Sequence, residues 1–513
     1  MKEVLFNNES HERVLSGMKT VYDAARGTIG AQGKNAMVSR KGEAPYVTKD
    51  GINTIKSIKL DDPVADMGAQ FIRQAAEKTA IQTGDATTST AILTFQMIGL
   101  GLTKITDGEK RVKLFKQMED AVQYIEKKVK EHAVPVNDEL IYNTAIISAN
   151  NDEKIGKMVA EMMIKIGVSG NAVLEVSTKG KDYYTISNGM KLDSGYANAG
   201  MVNNHSYGVM AYENPLIMVT DEIMTRHEQL GSFWSICEAQ KRPGIIICPE
   251  MYGEALSTIV HNVQKAGAPF GAIIAPDHGP LSRDILEDIA LYVGAELITD
   301  KKGKHTKHIN VSYLGSCDKI ATTKNTTTMI GGKGIVDTRV KELEHYLSET
   351  NDLQEKEDIR FRIANITGKT AVIYVHAETE SEFMEKKDRL DDAVQATRAA
   401  MEEGVLPGGG LFLYNRFKEL EEIEKEASKE GWSVVLTACS FPLLNILSNA
   451  DVDLVEIAEG FSETDGYDVL NYRFVPMISS GIVDPAKSIR VAVRNAFSAA
   501  KSFLSTHVTI VNY

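Results

Sequence analysis

The stretch Ile81-Gln-Thr-Gly-Asp-Ala-Thr-Thr-Ser-Thr-Ala-Ile-Leu93 organises the reading of this chain. Gly84 and Asp85 break one helical pattern, and the hydroxyls of Thr87, Thr88, Ser89 and Thr90 stand where the next helix begins. The N–H groups of a helix's first turn have no partner within the helix and carry partial positive charge, so they can hold phosphate oxygens, with hydroxyls adding donors at the rim. A carboxylate beside such a seat repels phosphate unless a cation lies between them, which makes Asp85 a candidate Mg²⁺ ligand. The competing reading is plain helix capping by Asp, Ser and Thr, and this stretch taken alone favours it.

Around that stretch, 513 residues exceed one ordinary core and predict two to four domains. With 43% hydrophobic and 25% charged residues the composition is that of a soluble globular protein, and a formal charge of -13 argues against a nucleic-acid partner. The one basic run, Lys301 to His308, has no interleaved aromatics and reads as a solvated loop. His305 and His308 have ligand-like spacing, but no third ligand stands near them in sequence, so no metal site is expected there. Cys237, Cys248, Cys317 and Cys439 form no CxxC pair; with no signal-peptide pattern they are expected as reduced thiols in the cytoplasm. The most apolar helical run is read as Ala91 to Thr103, too short to span a bilayer and therefore a core helix, so no membrane partner is expected.

In order, the chain offers an alternating segment at Glu3 to Phe6, an amphipathic helix to about Arg26, and the glycine-rich Gly27-Thr-Ile-Gly-Ala-Gln-Gly-Lys34. Alternating segments at Ala36 to Ser39 and Pro45 to Thr48 predict a hairpin. Helices are expected at Pro63 to Ile81, Thr88 to Ile105 and Arg111 to His132, with a further helical segment around Ile141 to Ile166. The texture changes near Gly189. From there to Gly368, β-rich runs such as Leu216-Ile-Met-Val-Thr, Gly244-Ile-Ile-Ile-Cys and Gly271-Ala-Ile-Ile-Ala alternate with helical ones, which predicts an α/β domain with parallel strands. A helix from about Ser381 to Glu403 leads back into helical texture, so the α/β segment reads as an insertion in a helical domain, with Pro135, Gly189 and Gly368 as candidate pivots.

Gly84-Asp-Ala-Thr-Thr-Ser-Thr90, Val47-Thr-Lys-Asp-Gly51, Ile147-Ser-Ala-Asn150, Leu390-Asp-Asp-Ala-Val-Gln-Ala-Thr-Arg-Ala-Ala400, Glu402-Glu-Gly-Val-Leu-Pro-Gly-Gly-Gly410 and Gly481-Ile-Val-Asp-Pro485 occur in the order and near the spacing of group I chaperonins. The chain resembles that GroEL family over essentially its whole length. The resemblance implies an α/β multidomain, GroEL-like fold. It has a mostly helical equatorial ATPase domain (1–131 and 403–513), a small two-piece intermediate α/β hinge domain (132–187 and 371–402) and an inserted apical α/β domain that binds substrate (188–370).

By the same resemblance, Ile29, Gly30 and Gly33 would lie along the phosphates and base of ATP, Asp85 would hold Mg²⁺, and Ala86, Thr87, Thr88 and Ser89 would form the phosphate loop, with K⁺ a compatible further ion. Ile147 falls in a nucleotide-side motif, Asp50 would sit near the γ-phosphate, Gly409 by ribose and base, Asp468 and Val469 near the base, and Asp484 on the ribose hydroxyls. Asp391 and Asp392 point about 100° apart on a helix, so only one can face a pocket. The family register selects Asp392 as the group that orients or deprotonates the attacking water. For the apical domain it selects Tyr196, Met201, Trp234, Leu256, Ile259 and Val260 as an apolar grip on unfolded client polypeptides.

Several positions depart from the family. Ala86 replaces a glycine, Ala31 a proline and Asp468 an asparagine. Gly200 and Gly231 replace large apolar residues, His261 another, Ser194 an arginine and Leu444 a basic residue. The Gly-Met tail is missing, and the closing run Val508-Thr-Ile-Val-Asn-Tyr513 could pair as a strand with a neighbour. These departures and the Lys-, Ile- and Asn-rich flavour point to a divergent, bacteriophage-encoded member, acting in the host cell cytoplasm as a homo-oligomer. A seven-membered ring is implied, with a lid-forming co-chaperonin as a further partner. Two other classes compete: a passive client-binding ring whose ATPase has decayed, against which the joint presence of Asp50, Asp85, Asp392 and Asp484 counts, and a small-molecule kinase or metabolic ATPase. For the latter, Gly368-Lys369-Thr370 resembles the end of a P-loop, but the required first glycine falls on Ile363.

Overall fold

The computed structural model describes residues 2–39, 45–105, 108–177, 179–205, 208–276, 280–350, 352–426 and 429–512. The N-terminal part comprises β1 (Lys2–Phe6), α1 (Asn7–Arg26), β2 (Ala36–Val38), β3 (Tyr46–Thr48), α2 (Gly51–Ser57) and α3 (Pro63–Thr83). It continues with α4 (Thr87–Lys104), α5 (Gly108–His132), α6 (Asp138–Ser148) and α7 (Glu153–Ile166). The middle holds β4 (Asn171–Val176), β5 (Tyr183–Leu192), β6 (Met210–Glu213), β7 (Leu216–Val219), α8 (Gly231–Gln240), β8 (Gly244–Cys248), α9 (Gly253–Ala266), β9 (Phe270–Ile274) and α10 (Pro280–Val293). It ends with β10 (Gly315–Ser316), β11 (Lys319–Thr322), β12 (Thr327–Ile330), α11 (Asp337–Glu349), α12 (Leu353–Thr367) and β13 (Lys369–Val375). The C-terminal part holds α13 (Glu380–Glu403), β14 (Val405–Pro407), α14 (Leu411–Lys418), α15 (Leu420–Glu426), α16 (Glu430–Asn449), α17 (Leu454–Ile457), β15 (Asp465–Asp468), β16 (Arg473–Pro476), β17 (Val483–Pro485), α18 (Ala486–Leu504) and β18 (Val508–Asn512).

Contacts gather into two compact units, one of Met1–Val168, Val176–Asp182 and Val375–Tyr513, the other of Ser169–Glu175 and Tyr183–Tyr374. In the first, local chemistry sets the helix ends. Asp62 accepts from the Val64 and Ala65 N–H groups at 3.3 Å, Pro63 opens α3, and Gly84 closes it in the left-handed region with its N–H on the Ala80 carbonyl. The segment read as one helix around Ile141 to Ile166 is two, because Asn150 and Asn151 both take positive φ and Asp152 caps a fresh start. Apolar faces of α1, α3, α4, α5, α16 and α18 meet in one core that contains Met18, Ile72, Leu93, Met118, Val435 and Val493. Helix α16 is long and apolar enough to cross a bilayer by composition, more so than Ala91 to Thr103, but it lies in this core. The predicted hairpin forms, β2 pairing antiparallel with β3, while its turn lies outside the described residues. The closing run, read as a strand that could pair with a neighbour, forms β18 and pairs along its length with β1 of the same chain.

In the second unit, β7, β8 and β9 run parallel as expected, with β10 added antiparallel in the order β10-β7-β8-β9. A six-stranded sheet, β4-β13-β5-β12-β11-β6, begins at Asn171, well before the expected change near Gly189. Gly189 and Gly368 are joined by a backbone hydrogen bond of 3.0 Å inside this unit. The four cysteines are buried and free, and burial pushes each thiol up to about 12, so they behave as small apolar side chains.

Candidate active site

The capping reading of the opening stretch fails at one residue. The cap position of α4 is Ala86, in the left-handed region (φ 60°, ψ 21°), and no side chain bonds to the first turn. Asp85 turns its Oδ1 onto the Ala86 N–H at 2.6 Å, and the hydroxyl of Thr90 is spent on the Ala86 carbonyl and on Thr79. The N–H groups that follow Ala86 therefore face open space beside Thr88 and Ser89, the geometry of an anion seat. Holding alanine in this conformation costs about 1 kcal/mol.

That space is a cavity of about 540 Å³, the size of a small-ligand site. Ile29 and Gly30 form one side of it, Asp50 and the start of α2 another, and Asp85, Ala86, Thr87, Thr88 and Ser89 its end. Ile147 at the end of α6, Asp392 on α13, and Gly409, Asp468, Val469 and Asp484 from the C-terminal part complete it. Gly33 alone among the predicted residues is not on the wall. Its N–H closes the turn onto Gly30 at 3.0 Å, and a Cβ there would come 2.1 Å from the Thr28 carbonyl, so it shapes the loop from behind. Asp468 lines the cavity, but its carboxylate is committed to its own turn, accepting from the Leu470 N–H at 2.9 Å and Asn471 Nδ2 at 2.7 Å.

Two features of the wall were not anticipated. An apolar slot is built from Pro442, Ile446, Tyr467 and Met477, residues scattered over α16 and the β15–β16 hairpin, which no local pattern marks as one surface. The cation Lys49 also lines the cavity. Burial first and Arg389 second lower its pKa, and its Nζ donates to the Ala31 carbonyl at 3.0 Å.

Charge is unbalanced around this cavity. Burial raises the carboxyls of Asp85 and Asp50 and lifts Asp484 to about 7, with Asp85 adding to it. Asp392 is raised well above the usual carboxylate range by burial and then by Asp50, Asp85, Asp391 and Asp388. Each of these four carboxylates is half-buried and lines the cavity. Of the adjacent pair, Asp392 faces the cavity and Asp391, pushed up to about 6 by burial, does not. Buried like charges converging on one space beside an anion seat fit a divalent cation, with Asp85 placed to be its protein ligand.

In the second unit only part of the predicted apolar grip lies at a surface. Met201 and Ile259 are fully buried, a correction to the expectation that they line a groove. The reason is Gly200: without a side chain the helical turn Ala199–Met201 lies directly on α9, where a Cβ would come 2.8 Å from Val260, and Met201 Sδ accepts from the Ala272 N–H. Tyr196, Leu256 and Val260 are half-buried against the same core. A groove of about 700 Å³ does lie between α8 and α9, and of the six predicted residues only Trp234 lines it, stacked on Phe270 at 4.0 Å. In the loop read as metal-free, His305 Nδ1 meets Asp300 at 2.8 Å and Glu222 at 3.7 Å, the latter from a segment that sequence spacing could not bring to mind.

A profile of the TCP-1/cpn60 chaperonin family matches residues 21–233 and 260–512. Among solved structures the chain is similar to the chaperonin gp146 from the bacteriophage EL 2 (Pseudomonas aeruginosa), crystallised in the presence of ATP-BeFx. Crystal form II gives a TM-score of 0.74 at 21% identity, covering 99% of each chain. Crystal form I gives 0.68 at 20% identity, again over 99% of each chain. At this identity the likeness concerns the fold.

Proposed function

The chain belongs to the TCP-1/cpn60 chaperonin family, and on that premise we propose that it binds non-native polypeptides and drives their folding by binding and hydrolysing ATP in the cavity described above. The observation that carries this reading is the uncapped first turn of α4 facing Asp392 across one cavity. That the gp146 chaperonin was crystallised with ATP-BeFx is consistent with a nucleotide there.

The phosphates would lie on the N–H groups after Ala86, with the Thr88 and Ser89 hydroxyls at the rim, and Asp85 would hold Mg²⁺. Bound there, the ion supplies charge neutralisation on the phosphate oxygens. Asp392, its carboxyl raised above the ordinary carboxylate range by burial and the neighbouring carboxylates, would act as the base: it takes the proton of a water whose oxygen attacks the γ-phosphorus, while the bond to the bridging β-γ oxygen breaks and ADP leaves. Asp484 and the backbone at Gly409 would take the ribose, and the slot of Pro442, Ile446 and Tyr467 the base.

In this reading residues 1–131 with 403–513 are the ATPase domain, 132–187 with 371–402 the hinge and 188–370 the client-binding domain. The client surface centres on Trp234 and the α8–α9 groove, with Tyr196, Leu256 and Val260 at its edge. The protein assembles as a homo-oligomeric ring, seven-membered by family resemblance, and works in the cytoplasm, with a lid-forming co-chaperonin as a candidate partner. The test is suppression of aggregation of a chemically unfolded protein, with and without ATP, alongside sedimentation. ATP-dependent recovery of the client by a particle many times 56.3 kDa is expected. A monomer that leaves clients aggregating whether or not ATP is added would refute the reading.

A further inference from the structure

The helix that carries Asp392 meets the N-terminal part of the chain at two other points, α2 and Gly84. Asp388 stands one turn before Asp392 and Gln395 about one turn after it, so the three share a face of α13. Asn53 Nδ2, on α2, donates to Asp388 Oδ2 at 2.7 Å. Gln395 lies over Gly84, where φ is +64° and a Cβ would come 2.1 Å from the Cβ of Gln395. Asp392 therefore sits between two contacts that bring α13 against the nucleotide wall. Neither Asn53 nor Asp388 lines the cavity.

The charges at this contact oppose closure. Asp388 feels the charges of Asp50, Asp391 and Glu385, with Lys387 relieving it; burial first and those carboxylates next push it up to about 6. Repulsion between Asp50 on one side and Asp388 and Asp392 on the other drives the helix from the wall. The Asn53 amide is a neutral donor that bridges the two sides without adding to either charge. The residue is anchored through its main chain: its backbone N–H donates to Asp50 Oδ2 at 3.1 Å and its backbone carbonyl accepts from Ser57 Oγ at 2.7 Å.

We propose that Asn53 and Asp388 are a positioning pair that holds Asp392 over the nucleotide cavity, an inference that rests on reading that cavity as an ATPase site. Since neither residue lines the cavity, the pair would act through the placement of Asp392. It sets how often the base stands in reach of the γ-phosphate, so it acts on turnover and not on nucleotide affinity.

Phosphate release is measured over a range of ATP concentrations for the full-length wild type, Asn53→Asp, Asp388→Asn and the double variant. Asn53→Asp sets two carboxylates against each other and lowers kcat about tenfold, with the KM for ATP moving less than about twofold. Asp388→Asn keeps an acceptor opposite Asn53 and holds kcat within about threefold of wild type. The double variant exchanges donor and acceptor, and its kcat recovers to within about threefold of wild type. Asn53→Ala, which removes the donor without adding charge, carries the same test if Asn53→Asp does not fold. Wild-type kcat in Asn53→Asp or Asn53→Ala, or a double variant as slow as Asn53→Asp, overturns the pair while leaving the ATPase reading in place. A wild type that releases no phosphate overturns the ATPase reading, and the pair with it.

Discussion

Ala86 concentrates the departures of this chain into one position. The turn into α4 places a residue at φ 60°, and an alanine occupies it. Ala86→Gly is expected to raise stability to chemical unfolding by about 0.5–1 kcal/mol, the relieved strain exceeding the extra freedom glycine gains when unfolded. A midpoint that falls would show the alanine to be unstrained. The acidic groups give a second residue-scale prediction. Asp388 and Asp391 at about 6 and Asp484 at about 7 have folded pKa values above their unfolded ones, so the folded state binds more protons between about pH 4 and 7. Their joint contribution to stability is present below pH 4 and is lost as pH rises through that window. A cation held at Asp85, whose carboxyl burial also raises, competes with protons there and has the opposite slope. Magnesium should therefore raise the melting temperature more at pH 7.5 than at pH 5, and an equal or reversed shift would contradict a cation site at Asp85.

Helices and strands show what a local pattern can and cannot carry. The ends of α3 and α4 were legible because the residues that stop one and start the other, Gly84 to Ser89, are themselves the signal, as were the parallel runs of β7, β8 and β9. The pairing of β1 with β18 was not, since strands at opposite ends of the chain leave no local trace of each other. The close crossing of α1 and α3 was equally hidden. At Gly17 a Cβ would come 1.7 Å from the Ala65 carbonyl oxygen, and at Gly68 one would come 2.0 Å from that of Val14. Gly68→Ala is expected to cost about 1–3 kcal/mol through overpacking. Gly99→Ala, in α4 with nothing within 4 Å, should gain up to about 1 kcal/mol from helix propensity. Urea unfolding of the two variants checks the contrast, and equal effects would mean that the crossing relaxes freely.

At the scale of the molecule, every residue that the family resemblance assigned to a nucleotide site, Gly33 excepted, lines one cavity, because the motifs that carry the resemblance converge on it. They did not locate the apolar slot of Pro442, Ile446 and Tyr467, which three-dimensional packing alone assembles, nor the burial of Met201 under the turn that Gly200 permits. The chemistry of the account is concentrated in one arrangement, a carboxylate on α13 across a single cavity from the uncapped start of α4. The measurement that addresses it most directly is phosphate release by the wild type and by Asp392→Ala, with nucleotide binding followed in parallel by a fluorescent ATP analogue. The account predicts steady release by the wild type, a loss of about a hundredfold or more in the variant and binding within a few-fold of wild type. Undiminished release by Asp392→Ala would contradict it.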